Sequence, residues 1–176
     1  MTIEQVWGEM YQTENDPEKM KAFQEHSLDI PLQLEVAEGL DAALSAFQGD
    51  KGIDDLSYLR EILIATAKHE SLGGKLLEQE GGPARGAWQV EPETARSILD
   101  TAELIGPNAE KAMGVTASQL RVMDDHSLGE ALKDHKVGAA FAAAKYLQAA
   151  DSRGMLDQLQ PEPTPGIVAQ GMGVAP

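Results

Sequence analysis

"KHESLGGKLLEQEGGPARGAWQVEPETA", Lys68 to Ala95, is the stretch on which the reading of this chain turns. It opens on the last turn of an apolar helical pattern, crosses a glycine-rich loop and ends on a new helix start at Glu91-Pro92-Glu93-Thr94. At about 100° per residue, Leu56, Leu59, Leu63, Thr66 and Ala67 form one stripe of a helix predicted over 53–71. Glu70 lies seven residues beyond Leu63, within roughly 20° of the same direction. The spacing therefore predicts a carboxyl group on the core-facing line. Partial burial and the negative end of the helix dipole both favour its protonated form, which is the state a general acid requires. Gly73 and Gly74 are natural C-cap residues for this boundary. The competing reading is a frayed last turn with Glu70 in water.

The loop that follows, "GGPARGAWQ", carries chemistry of its own. Its glycines let backbone approach a ligand closely. Trp88 offers an indole for stacking on a sugar face, and Gln89 an amide that donates and accepts together.

Helical periodicity dominates outward in both directions. Thr2 with Gln5 forms a capping-box pattern before Ile3, Val6, Trp7, Met10 and Tyr11, and Asp16-Pro17 opens a second helix with Met20 and Phe23. A third helix is predicted over 32–47, closed by Gly49. After the loop, Pro92 starts a helix with Ala95, Ile98, Leu99 and Ala102 on one face. Thr116 with Gln119, and Ser127 with Glu130, mark two further capped starts. "VGAAFAAAKYLQAA" predicts a helix whose small side chains let its neighbours come close. At most a short hairpin fits between Leu76 and Val90. "QPEPTPGIVAQGMGVAP" holds four prolines and three glycines with no helical period, and reads as an extended tail.

Composition bounds the function. A length of 176 residues and a hydrophobic content of 42% suit one core, built on aliphatic residues because aromatics make up only 5%. No cysteine is present, so disulfides, thiolate catalysis and cysteine-ligated zinc are out. The net charge of −15 opposes contact with nucleic acid or an anionic membrane. No run reaches the roughly 18 apolar residues of a membrane span, and the acidic N-terminus does not read as a signal peptide. His69, His126 and His135 lack the spacing of a metal motif, so neither a metal nor another cofactor is expected.

Glu70-Ser71 at a helix end, followed by a glycine-rich loop closing on "GAWQVEPETA", resembles the lytic transglycosylase branch of the lysozyme-like superfamily. The "GGPA" start of the loop is similar to that of phage-encoded members, and the resemblance covers roughly Glu61 to Leu99. It implies a mostly α fold: an N-terminal helical extension (1–50), a lysozyme-like domain (51–154) and a Pro/Gly-rich tail (155–176). It also implies an enzyme that cuts the β-1,4 bond between N-acetylmuramic acid and N-acetylglucosamine in peptidoglycan glycan strands. Glu70 would be the catalytic acid and base, and Ser71 would orient its carboxylate or a substrate amide. Gly86, Trp88 and Gln89 would shape and line the cleft.

The family's far cleft wall, an Ala-Tyr-Asn-Ala-Gly-like segment, is absent, and Tyr146 is the candidate to replace it. A hydrolase working with two carboxylates would take its second from Glu78, Glu80, Glu91 or Glu93, whereas a transglycosylase needs one acid. The alternative is an inactive structural protein of a phage particle, with the tail contacting other virion proteins. Either version places the chain in a virion, or in a host cytoplasm from which ejection or a holin delivers it to the periplasm.

Overall fold

The computed structural model describes residues 30–49, 53–101 and 104–159. The two helices predicted before residue 30, and the tail from residue 160 onward, lie outside the described residues. Seven α-helices are described: α1 (Leu34–Phe47), α2 (Ser57–Ser71), α3 (Pro92–Asp100), α4 (Pro107–Met113), α5 (Ala117–Arg121), α6 (Asp125–Leu132) and α7 (His135–Ser152). A 3-10 turn, Leu156–Leu159, follows. The fold is mostly α, as the periodicity predicts. In place of a hairpin, the loop between α2 and α3 holds only isolated bridges, Glu78 with Arg85 and Arg85 with Val90.

Local chemistry explains most boundaries. Pro92 occupies the first turn of α3, where its missing N–H breaks no helical bond. Thr116 and Gln119 close a reciprocal capping box at α5. For α6 the cap lies three residues earlier than Ser127: the Asp124 carboxylate accepts from the Ser127 N–H. Asp134 caps α7 by accepting from the Lys136 and Val137 N–H groups.

The longest described helix, α7, is the axis of the molecule. It packs against α1 above all, and also against α2, α3, α4 and α6. Val137 through Ala144, then Tyr146, Leu147 and Ala150, are buried, so this helix is enclosed around most of its circumference. Small residues make the close approach possible. A Cβ on Gly39 of α1 would stand 2.6 Å from His135 Cβ, inside any real contact.

The core runs across the expected limits at residues 50 and 154. Val36, Leu40, Ala43, Leu44 and Phe47 of α1 are buried in the same cluster as α2 and α7, and so are Met155 and Leu159. Each large aliphatic side chain buried there contributes about 1.5–3 kcal/mol.

Candidate functional site

The C-terminal end of α2 meets the loop 72–91 under tight backbone control. Leu59, Ile62, Leu63, Thr66, Ala67 and Ser71 form the buried face of α2. Leu72 takes the left-handed conformation at the C-cap (φ 54°, ψ 45°), and its N–H bonds the Ala67 carbonyl. Gly73 and Gly74, predicted as the cap, continue with positive φ and press against the segment leading into α1. There the Gln33 N–H donates to the Gly73 carbonyl at 3.0 Å.

Glu70 is exposed, and that corrects the core-facing expectation. The last turn is not frayed. Instead the buried place at the end of the stripe goes to Ser71, whose hydroxyl donates to the Ala67 carbonyl at 2.9 Å. The same oxygen accepts from the Gly74 N–H at 2.9 Å. Fully buried and engaged on both sides by backbone, Ser71 locks the turn and is closed to a substrate amide. Glu70 itself has no hydrogen bond or ion pair among the described residues.

Trp88 is 3% exposed, so its ring is no platform for a sugar. Its Nε1–H donates to the Leu63 carbonyl of α2 at 2.8 Å, and the ring faces Gly138 of α7, with Cε3 at 3.4 Å from where a Cβ would stand. The indole staples the loop onto the helix that carries Glu70. Tyr146, proposed for the far wall, is likewise 3% exposed, and its hydroxyl lies 2.7 Å from the Thr66 hydroxyl. The Trp88 ring packs where Gly138 of α7 carries no side chain, and Tyr146, on α7 itself, meets the Thr66 hydroxyl of α2.

Gly86 and Gln89 shape the loop. Gly86 has φ +85°, and a Cβ there would stand 2.2 Å from the Leu132 carbonyl oxygen. Its N–H donates to Leu77 at 2.7 Å. Gln89, half-buried with φ +49°, donates from Nε2 to the Gly86 carbonyl at 2.7 Å and to the Leu76 carbonyl at 3.4 Å. Arg85 and Val90 exchange both backbone bonds at 3.0 Å. The loop is held as one unit. Glu70, Ser71, Leu76 and Gln89 are linked through its backbone, because the Leu76 N–H donates to the Ser71 carbonyl at 2.9 Å.

The other carboxylates divide. Glu78 is paired with Lys133, and that hydrogen bond holds its carboxyl below the usual glutamate range. Glu91 and Glu93 line a cavity of about 320 Å³ with Arg85, Asp125 and His126, and Glu70 is not part of its wall. Asp125 is bridged there by Arg96 at 2.8 Å. This cavity is not legible in the sequence, because its walls come from segments about 40 residues apart that only the fold joins. No family model, curated protein or solved structure matches the chain.

Proposed function

We propose that this protein cleaves the glycan strands of peptidoglycan, with Glu70 as acid and base. The observation that carries the reading is a carboxylate without an engaged partner among the described residues, set on the last turn of a helix buried along one face, beside a loop clamped to that helix. A fixed backbone around a free acid is what positional catalysis requires. A glycan laid over the end of α2 brings its glycosidic oxygen to Glu70, which donates a proton to it as general acid. Glu70 gives that proton to the glycosidic oxygen as the C1–O4 bond of the muramoyl residue breaks. The 6-hydroxyl oxygen of the same residue then bonds C1 and returns its proton to Glu70. The products are a 1,6-anhydromuramoyl end and a free N-acetylglucosamine 4-hydroxyl.

A second reading keeps the helices and drops the chemistry: an inactive structural component of a phage particle. The inward placement of Trp88 and Tyr146 favours it, since two rings offered for a cleft serve the core. Purified full-length protein incubated with murein sacculi separates the two. Anhydro-muropeptides released by wild type, and reduced at least 1,000-fold in Glu70→Gln, support the enzyme. Release from neither variant supports the structural protein.

A further inference from the structure

The cavity of about 320 Å³ between the loop, α3 and α6 holds charges of both signs that the fold does not use. Arg85 is its fixed point. Its backbone closes on Val90 with both bonds at 3.0 Å, and its Nη1 donates to the Gly82 and Ala84 carbonyls, each at 2.8 Å. The stem lies over Gly129 of α6, where an added Cβ would stand 3.3 Å from Arg85 Cγ. The guanidinium is thus held in place by backbone, yet its Nε and Nη2 have no acceptor among the described residues. Three carboxylates share the wall, and none of them pairs with it. Asp125 is taken by Arg96, and the Glu91 and Glu93 side chains have no hydrogen bond or ion pair among the described residues.

This mixture of charge selects the ligand. A lone anion attracted to Arg85 is repelled by Glu91, Glu93 and Asp125, and a lone cation drawn to the acids is repelled by Arg85. Among the described residues no group of three or more His, Asp or Glu side chains is placed to hold a metal ion. A molecule carrying both charges satisfies both sets. We propose that this cavity binds a small zwitterion, an aliphatic amino acid whose carboxylate takes the free edge of the Arg85 guanidinium and whose ammonium meets Glu91 and Glu93. The Nε–H and Nη2–H groups form the parallel pair of donors that a carboxylate accepts bidentately, and the carbonyls behind Nη1 have already oriented them. The volume stands at the small end of ligand pockets, which suits an amino acid better than an oligosaccharide. Glu70 is not in this wall, so the site stands apart from the cleavage chemistry.

Titration of the full chain at low salt, followed by amide chemical shifts, tests the site. The probes are glycine, β-alanine and 4-aminobutyrate, whose charges stand progressively further apart, with acetate and methylammonium as single-charge controls. At least one zwitterion is expected to bind about tenfold or more tightly than either control, and to weaken as salt rises. Glu91→Gln combined with Glu93→Gln is expected to weaken that binding about tenfold while leaving the melting temperature unchanged, because both side chains are exposed and unpaired. Arg85→Lys keeps the charge and loses the fork, and a similar loss of affinity is expected. Should that variant unsettle the loop, the paired glutamate substitution still decides. Zwitterions that bind no more tightly than the controls overturn the proposal, since acetate or methylammonium would then do as well. Binding that survives the paired glutamate substitution unchanged overturns it too, by placing the ligand elsewhere.

Discussion

At the scale of single residues, the loop after α2 is decided by where a Cβ can go. Gly86 and Gly81 both have positive φ, +85° and +72°, so an alanine is strained at either. They differ in surroundings. At Gly81 nothing lies within 4 Å of a Cβ, whereas at Gly86 the Leu132 carbonyl oxygen stands at 2.2 Å. Gly81→Ala is therefore expected to lose about 1 kcal/mol, the conformational penalty alone. Gly86→Ala must also push the loop off α6, and more than 3 kcal/mol is expected in urea unfolding. Similar losses in the two variants would mean that the loop is not clamped at Gly86. The same scale separates Glu70 from its neighbour. Ser71 is tied to backbone on both sides of its hydroxyl, while Glu70 has no hydrogen bond or ion pair among the described residues.

At the scale of elements, the loop is joined to α6 by charge. Lys133 reaches Glu78 of the loop and Glu130 of α6. Glu78 is held below the ordinary glutamate range first by the Lys133 hydrogen bond and then by its charge. A carboxyl with a lowered value in the folded state adds stability that is present above its unfolded value and is lost as pH falls through the folded one. Asp55 and Asp124 are lowered in the same direction by hydrogen bonds from Ser57 and Ser127. Thermal melts between neutral and strongly acid pH should thus fall with acid. Glu78→Gln should flatten that fall, with the two curves meeting at low pH. Parallel curves would show that the ion pair does not hold the loop. Glu78 is largely exposed, so the effect should be small and should shrink in salt.

At the scale of the whole molecule, α7 is the element on which the rest assembles, and its alanines set the spacing. Ala139, Ala140, Ala143 and Ala144 are fully buried. Ala143→Leu adds three carbons where no room is left, and a loss of about 1–3 kcal/mol or more is expected in urea unfolding. Val122→Thr, at a position 86% exposed, should stay within about 0.5 kcal/mol. Equal stability of the two variants would mean that the helices around α7 can spread. Among the described residues no helix is long and apolar enough to cross a membrane.

What the amino-acid sequence determined by itself is the succession of helices and several of their starts. Pro92 and the Thr116–Gln119 box act through a few neighbouring residues, so their outcome is legible without the fold. The loop was legible too, as glycines where φ must be positive, although Leu72 rather than a glycine took the cap. Only the tertiary structure decided which side chains around Glu70 face inward. Trp88 turns in because Leu63 offers a carbonyl and Gly138 leaves space, and Tyr146 because Thr66 meets its hydroxyl from another helix. Helical spacing gives the direction of a side chain. Its burial depends on what the rest of the chain lays over it, and over Glu70 the described residues lay little.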